Sequence, residues 1–130
     1  MFTKLIVIFA DVDIKVKDMA IFQLSLLDEA KEFLRSIPKQ AYKKVLYNVD
    51  RVAGGEKNKE IFKKLENSEI WEFRTIYNGI AYRLFAFWDT DKQTLVVATH
   101  GIIKKTQKTP KKEIARAEAI MKQYFELKKL

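Results

Sequence analysis

The sequence contains no cysteine and a single histidine, and this scarcity excludes several kinds of site. Without cysteine the chain can form no disulfide, no thiolate metal site and no cysteine nucleophile. One histidine, His100, cannot build a zinc centre of several histidines. The sequence also lacks a dense carboxylate cluster of the kind that a two-metal nuclease uses. We therefore expect neither a metal nor a cofactor.

Long apolar runs are also missing. Residues 5–10 are apolar and follow Lys4, but Asp11 and Asp13 end the run after about six residues, too few for an export signal or a membrane span. We interpret this run as a buried strand and expect a cytoplasmic protein. No stretch is rich in proline, glycine or serine, so the sequence predicts one domain over residues 1–130.

Positive charge is abundant. The chain has 25 Lys and Arg against 17 Asp and Glu, which gives a net charge of +8. This balance favours a polyanionic partner, with nucleic acid as the first choice and an anionic membrane surface as the second. Hydrophobic residues make up 48% of the 130 residues, enough to build a core without cross-links.

The first half of the chain predicts strand and then helix. Either residues 4–9 or residues 19–24, or both, could form the first strand, since the apolar pattern does not decide. Ser25 resembles a helix cap, and Pro38 can end the first helix and begin the second. Gly54-Gly55 ends that second helix, so we expect a helical hairpin. Residues 56–68 are mostly polar and read as a connector with one helical turn.

The second half changes to period two. Residues 71–77 alternate, Asn78-Gly79 is a strong hairpin signal, and residues 80–88 form the return strand. Residues 94–103 predict a third strand. Thr109-Pro110 is typical of a helix start, with Thr109 as the cap. The fold class is therefore α+β.

The Asn-Gly turn also fixes which residues face each other. Counting back from it places Arg74 opposite Arg83, with Cβ atoms roughly 5 Å apart. Two facing arginines repel each other unless an anion lies between them. Glu72 shares their face and could neutralise Arg74, so an anion site and a structural ion pair are both open.

A second hairpin adds His100 to this face. If residues 89–92 form a four-residue loop, Trp88 faces Gln93 and His100 faces Ala81, diagonal to Arg83. A loop one residue longer would move His100 to the other face. A lone histidine on a strand is more often a hydrogen-bonded structural residue than a catalyst. Phe85 shares this face and either stacks on bases or packs under a helix.

These residue types suit RNA cleavage by its own 2′-hydroxyl. That reaction needs a base at the hydroxyl, charge stabilisation at the phosphate and an acid at the leaving 5′-oxygen. Arginine binds phosphate oxygens in a two-pronged contact. An imidazole titrates near neutral pH, and a lysine crowded by other cations can do so as well. The basic residues 104–108 otherwise read as a solvated loop.

Four segments resemble the HigB branch of the RelE/ParE toxin superfamily, the phage-derived host-killing toxins of type II toxin–antitoxin systems. They are residues 70–74 (IWEFR), 82–84 (YRL), 100–110 (HGIIKKTQKTP) and 62–65 (FKKL). The resemblance covers residues 19–127, and residues 1–18 are an added edge strand or an extension. It implies a small curved antiparallel sheet flanked by an N-terminal helical hairpin and a C-terminal helix.

The resemblance also implies a function. Such toxins cut mRNA, usually in the ribosomal A site and without metal, and thereby inhibit translation. Their partner is a helix-turn-helix antitoxin encoded nearby, here of the HigA type. By position the catalytic residues are Arg74, Arg83, His100 and Lys105, and the RNA-binding residues are Lys63, Lys64, Lys104 and Lys108.

Two points stay open at this stage. The general base could be His100 or a loop lysine, with Tyr124 as a remote candidate. The alternative function is a non-enzymatic toxin on the same fold, either a ParE-like inhibitor of a DNA topoisomerase or a basic module that binds RNA or the ribosome without cutting.

Overall fold

A computed structural model describes residues 3–8, 13–92, 94–104 and 108–130, with side chains from Ala20 onward. This part of the chain forms seven strands and three helices. In chain order they are β1 (Thr3–Ile8), β2 (Asp13–Ala20), β3 (Gln23–Leu26), α1 (Asp28–Ser36), α2 (Lys39–Ala53), β4 (Phe62–Lys64), β5 (Trp71–Tyr77), β6 (Ile80–Asp89), β7 (Leu95–Lys104) and α3 (Lys111–Lys128).

The described strands form one sheet in the order β2-β1-β3-β7-β6-β5-β4. The α+β class is confirmed, but the expected antiparallel sheet is wrong, because β3 runs parallel to both β1 and β7. A parallel pair needs a long connection, and between β3 and β7 the helices α1 and α2 and three strands provide it. The N-terminal residues contribute β1 and β2, and β2 is an outer strand of the sheet.

Helix α2 begins and ends where the sequence predicts. It starts directly after Pro38 and stops at Gly54, whose N–H donates to the carbonyl of Asp50 at 2.9 Å. Gly55 follows with φ +100°, a conformation that glycine adopts without strain. The predicted cap at Ser25 is wrong, because Ser25 lies in β3 and pairs with Val97.

The helices cover both faces of the sheet. Helix α1 packs mainly on β7 and α2 on β5, and together they enclose the larger core. Phe33 of α1 approaches β7 so closely that a Cβ on Gly101 would lie 2.2 Å from its ring, so the contact requires glycine. Helix α3 packs on the opposite face, over Phe85, Phe87 and Val97. Phe85 therefore packs under a helix, which excludes it as a stacking platform for bases.

The hairpin of β5 and β6 has the predicted register. Asn78 and Gly79 have φ of 50° and 73°, as a two-residue hairpin turn requires, and Arg74 pairs with Arg83. The connector before this hairpin contains the expected helical turn, since the N–H groups of Ile61 and Phe62 both donate to the carbonyl of Asn58. It also contains β4, where Phe62 stacks on Phe73 at 4.3 Å between ring centroids.

The register of β6 and β7 differs from the expectation. Asp89 pairs with Leu95, so five residues, 90–94, connect the strands, and by itself this loop would turn His100 to the far face. A β-bulge restores the face: Ala86 pairs with Ala98 but Phe85 with His100, which leaves Thr99 as an extra residue. His100 therefore does lie on the arginine face, opposite Phe85 instead of Ala81.

Candidate active site

Strand pairing places the candidate residues in adjacent rows on the face that α3 covers. One row runs from Lys63 through Glu72 and Phe85 to His100. The next row holds Arg74, Arg83 and Ile102, and a third holds Ile76, Ala81 and Lys104. Helix α3 begins at Lys111 and covers the part of this face that contains Phe85. The arginines lie beside the N-terminus of α3, where the helix does not cover the face.

Glu72 is the centre of the charged cluster, although it is only 1% exposed. Its Oε1 lies 3.3 Å from Nε of Arg74 and 3.9 Å from Nε of Arg83. Its Oε2 accepts a hydrogen bond of 2.6 Å from the hydroxyl of Thr109. A carboxylate buried in this way is stable only because these cations and donors surround it.

Lys104 joins the same cluster at the end of β7. It is 6% exposed, and its amine donates to the hydroxyl of Thr109 at 3.5 Å. Burial lowers the pKa of Lys104 below its usual value, and the charge of Arg83 lowers this pKa further. Among the described side chains, Glu72 thus faces three cations, Arg74, Arg83 and Lys104, so the cluster carries surplus positive charge.

The two arginines also keep hydrogen-bonding capacity. Although Glu72 is close, the buried Nε atoms of Arg74 and Arg83 have no hydrogen-bond partner among the described atoms. A buried donor without an acceptor costs about 1–3 kcal/mol, and an anion would satisfy it. We interpret the arrangement as a preformed anion site, with Glu72 fixing the guanidinium groups.

The cluster opens into a cleft of about 450 Å³ beside the start of α3. Besides Glu72 and Arg74, Lys63 and Lys108 line it. Both belong to the predicted RNA-binding residues, and that role stays a prediction. Lys64 is not brought to this cleft, since it pairs with Trp71 and therefore shares the opposite face of the sheet. The predicted catalytic Lys105 lies outside the described residues.

His100 occupies a closed position. Its side chain is 2% exposed and stacks on Phe85, with 4.9 Å between ring centroids. Its Nε2 lies 3.1 Å from Oε1 of Glu113 in α3, and its Nδ1 lies 3.0 Å from the hydroxyl of Thr99. Burial lowers the pKa of His100, although Glu113 opposes this shift. A substrate phosphate cannot reach this imidazole while α3 is in place.

Thr109 was missed as a site residue, because its position before Pro110 indicates a helix cap. Pro110 occupies the cap position itself and forms no side-chain hydrogen bond, whereas Thr109 contacts Glu72. Tyr124, the remote candidate base, donates to Asp89, and burial and that bond raise its pKa to about 12. Such a phenol is a poor candidate for a base at neutral pH.

Comparison with known proteins assigns the chain to a family. The family model of phage-derived Gp49-like proteins (DUF891) matches residues 32–122. The chain belongs to the Gp49-like family. This is a RelE-like, toxin-like family. No curated protein matches the chain. The matched range runs from α1 into α3 and contains Glu72, both sheet arginines, Lys104 and Thr109.

The arrangement in this Gp49-like chain can bind and polarise a phosphate. Two guanidinium groups and one ammonium surround a single carboxylate, and all three can donate to phosphate oxygens. Within the described ranges, no three histidine, aspartate or glutamate side chains converge as metal ligands would. No helix among the described residues is long and apolar enough to cross a membrane.

Proposed function

We propose that this Gp49-like chain is the HigB-type toxin of a type II toxin–antitoxin system and an endoribonuclease that cleaves mRNA in the ribosomal A site. The observation that carries the proposal is the buried cluster of Arg74, Arg83 and Lys104 around Glu72, in which positive charge exceeds negative charge. Such a cluster is costly unless a ligand supplies the missing negative charge. Membership of a RelE-like family supports RNA as that ligand.

In this mechanism the arginines act on the scissile phosphate. Arg74 and Arg83 donate to its non-bridging oxygens, where negative charge accumulates as the 2′-oxygen attacks phosphorus. The bond from phosphorus to the 5′-oxygen breaks, and the proton lost by the 2′-hydroxyl is returned to that oxygen. The products are a 2′,3′-cyclic phosphate and a 5′-hydroxyl. No metal takes part in these steps.

Lys104 is the described residue best placed to move the proton. It lies in the cluster, and burial together with Arg83 lowers its pKa, so its neutral form is more accessible than that of an exposed lysine. His100, the other candidate, is enclosed beneath α3. We therefore assign proton transfer to Lys104, while a catalytic role for Lys105 stays a prediction.

The partner that we propose is a HigA-like, helix-turn-helix antitoxin encoded beside the toxin. An antitoxin fits a toxin-like family, since a cell that makes such an enzyme needs an inhibitor. The reading frame next to this gene tests the proposal directly. Its product should bind the chain and suppress its toxicity when both are expressed together.

The decisive experiment is induction of the chain in cells, followed by primer extension on abundant mRNAs. We expect growth arrest and discrete mRNA ends at codon spacing. An Arg74→Ala/Arg83→Ala variant should lose both, because removing one donor to a developing oxyanion already costs on the order of 10²–10³ in rate. The matched control, Arg35→Ala/Arg116→Ala, removes two exposed arginines and should stay toxic.

Two outcomes would overturn the proposal. Full toxicity and mRNA cleavage by a folded Arg74→Ala/Arg83→Ala variant would exclude the cluster as the active site. Growth arrest with intact mRNA and with DNA damage would instead indicate a ParE-like toxin that acts on a DNA topoisomerase. Circular dichroism of each purified variant separates loss of the site from loss of the fold.

A further inference from the structure

A second cleft, which adjoins the catalytic cluster, lies where α2 meets the free side of β5. We name it the edge cleft; its volume is about 420 Å³. The residues that line it and carry charge are Lys44, Arg51, Glu60, Arg74 and Arg83. Glu56 pairs with Arg51, and Glu72 with the two sheet arginines, so among the described side chains four cations face three carboxylates including Glu60. The edge cleft therefore keeps a net positive charge that attracts anions.

The side chains of the edge cleft are held in place. Lys44 donates to the carbonyl of Ile76 at 2.6 Å, which fixes its amine at the sheet edge. Asn48, buried in the wall, donates to the hydroxyl of Thr75 at 3.1 Å. Arg51 donates from Nε to Glu56 at 3.0 Å. A preformed site of this kind loses little side-chain entropy when a ligand binds.

Two residues connect the edge cleft to the catalytic cluster. Arg74 lines this cleft and also the cleft beside α3, so the two clefts meet at its guanidinium group. Arg83 is 4% exposed and lines the edge cleft, and its buried Nε has no hydrogen-bond partner among the described atoms. A buried donor without an acceptor on the wall of a cleft is a place where a water molecule or a ligand oxygen can complete its bonding.

An exposed aromatic ring contacts Arg51, one of the residues that line the cleft. Tyr47 lies on α2 between Lys44 and Arg51 and is 60% exposed. The guanidinium carbon of Arg51 lies 5.8 Å from the centre of its ring. Exposed aromatic rings beside basic grooves are where proteins stack the bases of single strands.

We propose that the edge cleft binds the nucleotide next to the scissile phosphate of a single-stranded RNA. Lys44 and Arg51 bind its phosphate, Tyr47 stacks on its base, and Arg74 links it to the cleavage site. The inference rests on the proposed RNA cleavage and adds a binding subsite to it. An acidic peptide would neutralise the cations, but its carboxylates would not stack on the exposed ring of Tyr47. The cleft therefore favours RNA.

The test uses the full chain and a short 2′-O-methyl RNA of mixed sequence, which cannot be cleaved because its 2′-oxygens are blocked. Its affinity is measured by fluorescence anisotropy at several salt concentrations. Tyr47→Ala should weaken binding about tenfold, whereas Tyr47→Phe, which keeps the ring, should not. Lys44→Ala/Arg51→Ala should reduce the slope of log affinity against log salt by about 0.7, the value for one phosphate of a single strand.

The matched control is Arg35→Ala/Lys43→Ala. Lys43 precedes Lys44 on the same helix, both control side chains are exposed, and neither lines the edge cleft. This control should bind like the wild type. If the control weakens binding as much as Lys44→Ala/Arg51→Ala does, net charge and not the cleft explains the affinity, and the inference is wrong.

The readouts separate this inference from the proposed function. Unchanged RNA binding by Tyr47→Ala, in a protein that still cleaves mRNA, would overturn the edge-cleft site and leave the nuclease intact. RNA that binds through the edge cleft but is never cut would keep the site and overturn the nuclease. Edge-cleft variants that bind RNA normally but lose antitoxin binding would show that the cleft accepts an acidic peptide instead. Tyr47 is exposed, so its substitution should not disturb the fold.

Discussion

Two buried carboxylates lie near opposite ends of α3, and they differ in how their charge is balanced. Asp89, near the C-terminal end, accepts hydrogen bonds from Tyr124 at 2.6 Å, from Lys128 at 2.7 Å and from the backbone of Asp91 at 3.1 Å. Glu72, beside the N-terminal end, faces three cations and one hydroxyl.

The charge and the hydrogen bonds of Asp89 are satisfied by groups of the protein itself. Burial alone would raise the pKa of Asp89, but the bonds from Lys128 and Tyr124 lower it below its usual value. Lys128 also approaches Asp91, so its single charge is shared by two carboxylates. This cluster has no surplus cation to offer a ligand, and we regard it as a clamp that fixes the end of α3 to β6.

The Glu72 cluster has the opposite balance, and the difference separates a structural ion pair from a binding site. Burial and interaction with a carboxylate are common to both clusters, so neither property identifies a site. Among the described side chains, the Glu72 cluster differs in having three cations around one carboxylate and arginine Nε atoms without a hydrogen-bond partner.

The largest effect should come from removing each carboxylate charge. Glu72→Gln leaves Arg83 buried without a counter-ion and should lower the free energy of unfolding by about 3 kcal/mol. Asp89→Asn should also destabilise the fold. Only Glu72→Gln should recover stability in phosphate, because the anion replaces the lost charge. Urea unfolding in phosphate and in chloride at equal ionic strength measures this.

The control in that experiment is necessary because phosphate stabilises most proteins through exclusion from their surface. Arg74→Ala/Arg83→Ala, which lacks the two arginines of the anion site, reports this general effect. If phosphate stabilises Glu72→Gln no more than Arg74→Ala/Arg83→Ala, the Glu72 cluster is not an anion site.

The next largest effect concerns the hydroxyl that contacts each carboxylate. Thr109→Val and Tyr124→Phe each remove one hydrogen bond to a charged group, which contributes about 1.5–3 kcal/mol. Both variants should lose this stability. Thr109→Val should also slow mRNA cleavage, because Thr109 contacts Glu72 and Lys104, whereas Tyr124→Phe should cleave like the wild type. Equal cleavage rates would place Thr109 outside the active site.

A smaller effect on stability is expected from protonation of His100, which lies in the same row across the sheet as Glu72. Burial lowers its pKa in the folded state, so the unfolded chain takes up the proton first as pH falls below the ordinary value of 6.5. The free energy of unfolding should therefore decrease between pH 6.5 and the lowered pKa. His100→Gln should flatten this decrease, as measured by urea unfolding across that range. If the free energy of unfolding of His100→Gln still decreases over this pH range, another titrating group causes the decrease.

The smallest effect should separate the two neighbouring lysines of β4. Lys63 lies on the arginine face and lines the cleft of the Glu72 cluster, whereas Lys64 lies on the opposite face. Lys63→Ala should reduce the salt slope of RNA binding by about 0.7, and Lys64→Ala should leave it unchanged. Equal slopes for the two variants would mean that the surplus charge of the cluster does not extend to β4.

Local signals predicted much of this structure. The Asn78-Gly79 turn fixed the pairing of Arg74 with Arg83, since a two-residue turn leaves one register. Pro38 and Gly54 marked the limits of α2 for equally local reasons. Each of these features depends on backbone preferences of a few adjacent residues, which a single sequence displays.

The features that were missed depend on distant parts of the chain. The parallel pairing of β3 with β7 joins segments about 70 residues apart, and the apolar pattern of a strand does not name its partner. Ser25 is drawn into β3 by this pairing, which overrides its capping preference. The contact of Thr109 with Glu72 arises only when the start of α3 folds against the sheet.

The extra residue at Thr99 divides β7 into a part that tolerates a change of chain length and a part that does not. Deletion of Thr99 itself would remove the bulge and leave Ala98 opposite Ala86 and His100 opposite Phe85, so that Lys104 would keep its place beside the arginines. Deletion of one residue from the regular stretch 100–103 would instead turn Lys104 to the other face of the sheet. We therefore expect descendants of this protein to keep activity after a gap at position 99 and to lose it after a gap in the four residues that follow.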